Sequence, residues 1–243
     1  MILSFRHRFV FVRARKAAGT SVEMALSTLC GDDDIVPPMM AVDERQRQAM
    51  GGFSGNYSPH PQAEKHYSRT VTAIPADLLG KLQPPPTLYT PHMIVADIAA
   101  VSGQSLAEFR LIAVTRNPYG RVISFLHMRR HFDAYRAGFG MPSQASGLSD
   151  ELDRMRAAGG IPALKSLALY GGMIPQLLRY ESLEADLAAI GYSLGATLPA
   201  LPHAKRGAMS DSIDPRRIFS RDQLDWINNY FAEEFSAYGY AMV

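Results

Sequence analysis

The amino-acid sequence predicts an α/β protein in which a central parallel sheet is flanked by helices in three layers. Short apolar runs typical of buried strands alternate with segments that place apolar residues at helical spacing. The clearest strand candidate is Phe109–Thr115, because Leu111–Val114 is a continuous apolar run of the kind found in central parallel strands. Such alternation of strands and helices is typical of parallel sheets with helical crossovers, and the fold prediction rests on it.

Length and composition indicate one globular domain over 1–243. The chain has 243 residues, of which 47% are hydrophobic, and a net charge of +2, which argues against disorder and against a general polyanion-binding role. Charges interrupt the N-terminal segment too early for a signal peptide, and no run approaches the roughly 20 apolar residues of a membrane helix. A lone cysteine, Cys30, fits a reducing compartment. We therefore expect a cytoplasmic protein without a membrane span, and the oligomeric state stays open.

The predicted elements begin with a strand–loop–helix unit at about 8–30, whose helix starts at Thr20. Proline and glycine in 31–86 predict irregular connections with short helices near 42–50 and 75–82. A short strand is expected at Thr87–Thr90. The later predictions are a helix at 93–101, the strand at 109–115, a helix from Pro118 to about 132, a loop at 133–147, helices at 148–158 and 161–169, a strand at 176–180, and helices at 182–190 and 220–237.

The loop that joins the first strand to the first helix has the features of an anion site. Arg15-Lys16-Ala17-Ala18-Gly19 combines cations with small side chains, and the helix N-terminus that follows presents backbone N–H groups and a favourable dipole. The same segment also fits a basic turn in which Thr20 and Glu23 form a capping box, and the sequence leaves both interpretations open. Lys16 precedes the glycine, unlike the lysine of ATP- and GTP-hydrolysing loops, and no evident carboxylate offers a magnesium ligand.

A second basic motif follows the strand at 109–115. Arg116 leaves the carboxyl end of that strand, where open α/β sheets bind ligands, and its planar fork suits a phosphate. Asn117 is a suitable N-cap, and Pro118 fits the first helical position. Arg121 and Ser124 are three residues apart and share a helix face. On its own this motif also fits surface charges at the start of a helix.

Together the two motifs resemble the sulfotransferases that use 3′-phosphoadenosine 5′-phosphosulfate (PAPS). KAAGTS is similar to the family's 5′-phosphosulfate loop, of pattern P-K-T-x-G-T-S, and RNPYGRVIS to its 3′-phosphate motif, R-x-P-x-x-R with a later serine. Weaker similarities to the family are found at Tyr89–His92, Leu178–Leu183 and Pro202–Gly207. The resemblance implies a P-loop-NTPase-like sulfotransferase fold and is closest to the carbohydrate branch. It departs at Arg15, where the family usually has proline.

The resemblance also implies residue roles. The 5′-phosphosulfate would be bound by the first loop, with Lys16 neutralising the leaving phosphate, and the 3′-phosphate by Arg116 and Ser124. Lys205, Arg206 and Gly207 would belong to a loop that closes over the nucleotide. The full set of expected donor-binding residues is Arg15, Lys16, Ala18, Gly19, Thr20, Ser21, Arg116, Ser124, Lys205, Arg206 and Gly207. No metal is expected, because positioned cations supply the charge stabilisation that sulfuryl transfer needs.

The expected reaction moves a sulfuryl group from PAPS to a hydroxyl, on a carbohydrate or glycoconjugate, and releases PAP. His92 is the first candidate for the general base, because an imidazole titrates near working pH, and Glu23 is the alternative. A histidine that only bonds its own turn is the competing interpretation of His92. The segments 31–86 and 133–170 are expected on the acceptor side. A nucleotide-dependent kinase and a non-catalytic nucleotide-binding module of the same fold remain the alternatives, and no nucleic-acid partner is expected.

Overall fold

The computed structural model, which describes residues 1–138, 147–202 and 213–243 and only the backbone of 131–138, contains a four-stranded mixed sheet. The strand order follows the sequence: β1 (Ile2–Ser4), β2 (Phe9–Val12), β3 (Arg110–Thr115) and β4 (Gln176–Arg179). β1 pairs antiparallel with β2, and β2 pairs parallel with β3. The predicted α/β class is confirmed. The prediction of a parallel sheet is wrong at β1, because a tight turn brings the chain straight back onto its neighbour.

Burial explains why these segments are strands. All residues of β1 and β2 are buried, as are Leu111–Thr115 of β3, so both faces of these strands are covered. In the parallel pair, Val10 lies opposite Leu111 and Phe11 opposite Ile112, which places β-branched and aromatic side chains side by side. The sequence analysis missed β1 because only three residues pair and a charged turn follows them.

Nine helices of the α type join and follow the strands in the described ranges. Their bounds are α1 Gly19–Ser27, α2 Ala41–Ala49, α3 Pro61–Ala73, α4 Val95–Ser102, α5 Pro118–Gly138, α6 Leu148–Ala157, α7 Leu183–Ser193, α8 Arg221–Tyr230 and α9 Ala232–Tyr238. Short 3-10 helices occupy Ala76–Lys81, Pro162–Leu164, Leu167–Tyr170, Tyr180–Ser182 and Pro215–Arg217. The predicted helices at 42–50, 93–101, 148–158 and 182–190 are confirmed within a few residues.

Five element predictions are wrong. The loop expected at 133–147 is helical as far as Gly138, because α5 continues, and the helix expected at 161–169 is two short 3-10 helices, Pro162–Leu164 and Leu167–Tyr170. The thirteen-residue helix α3 was expected to be irregular chain, although Pro61 at its first turn is a common start signal. The segment Thr87–Thr90 is not a strand: the Leu88 amide donates to the Tyr57 carbonyl at 2.8 Å and no ladder continues from it. The last predicted helix is broken at Phe231, whose φ of −110° and ψ of 19° end α8 before α9 begins.

The chain divides into two compact units. The first comprises Met1–Ala14, Ala18–Val114 and Ala168–Ala204, and the second Arg15–Ala17, Thr115–Leu167 and Lys205–Val243. The first unit holds nearly all of the sheet. The core of the second is built from α5, α6, α8 and α9, with Leu126, Leu152, Ile227 and Phe235 among its buried side chains. The single-domain expectation stays a prediction.

Candidate phosphate-binding site

The loop after β2 is built from two residues in a strained conformation. Lys16 has a φ of 63° and Ala18 a φ of 61°, both in the left-handed region that side chains with a Cβ rarely adopt. Each costs about 1–2 kcal/mol relative to a right-handed residue. Strain of this kind persists where the surroundings impose it, and it concentrates at ligand sites. A left-handed residue followed by a helix start also turns successive N–H groups toward one concave surface, which is an anion-binding arrangement.

No side chain in the described part of the chain caps the start of α1. Helix α1 begins at Gly19 with Ala18 as its N-cap residue, and the Ala18 carbonyl accepts from the amides of Ser21 at 3.1 Å and Val22 at 3.4 Å. The alternative that Thr20 and Glu23 form a capping box is therefore wrong. Within the described residues no acceptor bonds the amides of Gly19 or Thr20. These donors, together with the helix dipole, fit a bound phosphate group.

The second motif begins where the sequence predicted. β3 ends at Thr115 and α5 begins at Pro118, with the Asn117 side-chain oxygen accepting from the Tyr119 amide at 3.0 Å. This cap fixes the direction in which the chain leaves the strand. Arg116, only 7% exposed, lies between strand and helix, and its Nη1 donates to the carbonyl oxygen of Lys16 at 3.1 Å. Both residues belong to the second unit, so this contact joins the two motifs although they are 100 residues apart.

The two other polar residues of the second motif have different surroundings. Ser124 is half-buried on α5. Arg121 is 1% exposed, and its Nη1 is ion-paired with Glu234 and lies 3.4 Å from the Ser166 hydroxyl. Glu234 also accepts from the Ser166 amide and hydroxyl. Arg121 therefore links α5 to α9 and has a structural role, while Ser124 is the residue of this helix face that a ligand could contact.

His92 is held by a backbone carbonyl. His92 lies in a turn just before α4. The strand that was expected to precede it, Thr87–Thr90, is not formed. Nδ1 of His92 is 2.8 Å from the carbonyl oxygen of Arg13. A carbonyl can only accept, so Nδ1 carries the hydrogen, and in the neutral imidazole Nε2 is then the basic nitrogen. This tautomer is suited to a general base that uses Nε2.

Glu23 lies in a buried cluster of charges in the first unit. The side chain is 1% exposed, and its Oε2 accepts from the Met1 amino group at 3.1 Å and from Arg13 Nη1 at 3.0 Å. Arg47 Nη1 is 3.7 Å from Oε1, and Arg47 is also paired with Glu44. Burial raises the pKa of Glu23, but the positive charges around it outweigh burial and lower that pKa below the usual 4.5. The carboxylate is thus held ionised.

The remaining predicted site residues are less informative. Arg15 is exposed and Ser21 half-buried, whereas Gly19 and Thr20 are buried. Lys205, Arg206 and Gly207 lie outside the described residues. The described His, Cys, Asp and Glu side chains form no group of three or more that could hold a metal ion, and the expectation of a metal-free site stays a prediction. Over residues 1–138, 147–202 and 213–243, no helix has both the length and the apolar character that crossing a membrane requires.

Sequence reasoning missed the role of Arg13. Its guanidinium contacts Glu23, its carbonyl oxygen contacts His92, and its side chain covers Gly19 so closely that a Cβ added there would lie 2.5 Å from Arg13 Cγ. A charged residue at the end of a buried strand was a usable signal. Arg13 and Arg15 lie in the same basic run, so the sequence does not show which of the two side chains packs against the rest of the protein.

Comparisons with known proteins leave the family open. No protein-family model matches the chain, and no curated protein sequence matches it. Among solved structures, the chain is similar to a sulfotransferase from Alicyclobacillus acidocaldarius, with 15% identity over 95% of this chain and 93% of that chain and a TM-score of 0.40. This likeness is too weak to identify a function, which has to be inferred from the residues of the site.

Proposed function

We propose that this protein is a PAPS-dependent sulfotransferase with a P-loop-like fold that sulfates a hydroxyl group. The observation that carries the proposal is the hydrogen bond from Arg116 Nη1 to the carbonyl oxygen of Lys16. It connects the strained loop, which resembles the family's 5′-phosphosulfate loop, with the motif that resembles its 3′-phosphate site. Two separate basic motifs fit a 3′,5′-bisphosphorylated nucleotide better than a triphosphate. The carbohydrate acceptor rests on the sequence resemblance alone.

The donor, when bound, supplies the sulfuryl group. The amides of Gly19 and Thr20, the hydroxyls of Thr20 and Ser21 and the ammonium of Lys16 would bind its 5′-phosphosulfate. Lys16 would stabilise the negative charge that develops on the leaving phosphate oxygen, which is the largest electrostatic demand of the reaction. Arg116 and Ser124 would bind the 3′-phosphate, because a guanidinium presents five donors in a fork and a hydroxyl adds one more.

The acceptor hydroxyl has to lose its proton as its oxygen attacks sulfur. We assign this step to Nε2 of His92, because the Arg13 carbonyl holds the hydrogen on Nδ1. Glu23 is a poor second choice, since its lowered pKa makes it a weak proton acceptor. Acceptor selection is proposed for 31–86 and 133–170, where the sequence resemblance is weakest.

Turnover of labelled PAPS tests the reaction. The protein is incubated with sulfur-labelled PAPS and a panel of glycans and simple alcohols, and labelled product is separated. Lys16→Met should reduce kcat/KM by about 10²–10³-fold, the usual cost of removing one preorganised charge stabiliser. Arg221→Met, at an exposed cation of α8 outside the proposed donor and acceptor segments, is the control and should leave turnover unchanged. Equal turnover in both variants would remove Lys16 from the mechanism.

Thermal shifts separate the proposal from its alternatives. PAP, AMP and ATP with magnesium are compared at equal concentration, and the proposal predicts that PAP gives the largest rise in Tm because it binds the folded state through both phosphates. A larger shift with ATP and magnesium would favour the kinase. A shift with PAP in a protein that modifies no acceptor would favour the non-catalytic module.

A further inference from the structure

Arg13 contacts three parts of the first unit: the start of α1, the buried Glu23 and the candidate base His92. Its guanidinium Nη1 donates to Glu23 Oε2 at 3.0 Å, and its carbonyl oxygen lies 2.8 Å from His92 Nδ1. Its side chain fills the space beside Gly19, since an added Cβ would lie 2.5 Å from Cγ and 3.4 Å from Cδ. Arg13 therefore contacts the first residue of α1, the buried carboxylate of the same helix and the candidate base.

The Glu23 end of this chain of contacts is fixed by burial. The Glu23 side chain is 1% exposed and is held by the Met1 amino group and Arg47 as well as by Arg13. The Arg13 side chain is 14% exposed, so its charge is mostly removed from water and depends on Glu23. Removing one partner of such an ion pair is strongly destabilising, because it leaves an uncompensated buried charge. The Glu23 carboxylate therefore restrains the side chain of Arg13, the residue whose carbonyl oxygen contacts His92.

We infer that Arg13, anchored by Glu23, is a positioning residue that fixes the tautomer and the orientation of His92. The Arg13 carbonyl oxygen accepts a hydrogen bond from Nδ1–H, which keeps the hydrogen on Nδ1 and leaves Nε2 as the proton acceptor. Glu23 acts through Arg13 and does not exchange a proton with the acceptor. The catalytic consequence rests on the proposed function, whereas the tautomer itself is a property of the protein without donor or acceptor.

The tautomer is measured by nitrogen NMR on protein labelled with ¹⁵N-histidine. The chain has seven histidines, so a His92→Gln variant assigns the His92 signals. Arg13→Met removes the charged end but keeps an unbranched stem beside Gly19, and Arg13→Lys restores a charge. Glu64→Gln is the matched control, because Glu64 is a buried carboxylate of the same unit that accepts from the amides of Asn56 and Tyr57 and lies outside the Glu23 cluster.

We expect wild-type His92 to carry its hydrogen on Nδ1, and Arg13→Met to give a mixture of both tautomers. Arg13→Lys should restore the wild-type pattern in part, and Glu64→Gln should keep it. In the turnover assay Arg13→Met should lower kcat about 10- to 100-fold, the cost of a misplaced reacting group, with the KM for PAPS unchanged.

Three results would overturn the inference. One is a wild-type His92 with its hydrogen on Nε2, which needs no variant to fold. The second is an Arg13→Met protein that keeps the wild-type tautomer, and the third is a Glu64→Gln protein that loses it. Absence of sulfuryl transfer in the wild type would defeat the proposed function instead, while the tautomer measurements would still decide the role of Arg13.

Discussion

Replacing Gly19 by alanine tests the packing between the end of β2 and the start of α1. An alanine Cβ would lie 2.5 Å from Arg13 Cγ, 3.4 Å from Cδ and 3.5 Å from Cβ. A contact of 2.5 Å between carbon atoms cannot persist, so the Arg13 side chain has to move away. Because Arg13 Nη1 is bonded to the buried Glu23, that movement lengthens the ion pair as well.

The expected cost follows from these contacts. Adding a methyl group to a filled site costs about 1–3 kcal/mol. For a chain of this size each kcal/mol lowers Tm by about 2–4 °C, so Gly19→Ala should unfold about 2–12 °C earlier than the wild type. Gly80→Ala is the matched control, since no atom lies within 4 Å of its added Cβ. That change should stay within about 0.5 kcal/mol of the wild type.

A double-mutant cycle identifies the cause. Urea unfolding is measured for Gly19→Ala, Arg13→Ala and the double variant. Removing the Arg13 side chain removes the clash, so the double variant should be more stable than the sum of the single effects by about 1–3 kcal/mol. If the two effects add within about 0.5 kcal/mol, the clash with Arg13 is not the reason that position 19 is a glycine.

Three further predictions concern the strained loop and the buried ion pairs. Ala18→Gly should stabilise the ligand-free protein by about 1 kcal/mol in thermal unfolding, because glycine accepts a φ of 61° without strain, whereas Ala17→Gly, at a residue outside the left-handed region, should destabilise it. Glu234→Gln should cost about 3–5 kcal/mol in urea unfolding, because it leaves the buried Arg121 guanidinium without its counter-charge, and a loss below about 1 kcal/mol would contradict this role. The lowered pKa of Glu23 means that its stabilisation is present above the usual, unfolded pKa of 4.5 and is lost as the pH falls through the folded pKa. The stability difference between wild type and Glu23→Gln should therefore shrink below about pH 4, and a constant difference from pH 7 downward would contradict it.

Features with strong local causes could be predicted from the sequence. The start of α5 was expected from Asn117 and Pro118, and both behave as predicted because an N-cap oxygen and a fixed proline φ act within one turn. The central strand β3 was expected from its continuous apolar run, which is typical of a strand covered on both faces.

Features set by distant contacts could not be predicted. The left-handed conformations of Lys16 and Ala18 had no signal, since neither residue is glycine and the strain is imposed by the surrounding structure. Glu23 fitted a capping box on spacing, but Arg13, Arg47 and the Met1 amino group bind its carboxylate instead. These groups, distant in sequence, bind the carboxylate in place of the nearby backbone amides. Residue spacing alone does not show which of the two sets of partners a side chain binds.

The binding of PAP and AMP tests the central claim, that Lys16 and Arg116 serve two phosphates of one nucleotide. Calorimetric titration gives the ratio of their dissociation constants in the wild type, in Arg116→Gln and in Ser124→Ala. A charge-assisted hydrogen bond contributes about 1.5–3 kcal/mol, so the wild type should bind PAP at least about 10-fold more tightly than AMP. Arg116→Gln should abolish this preference and Ser124→Ala should reduce it. A wild type that binds PAP and AMP equally would contradict the account.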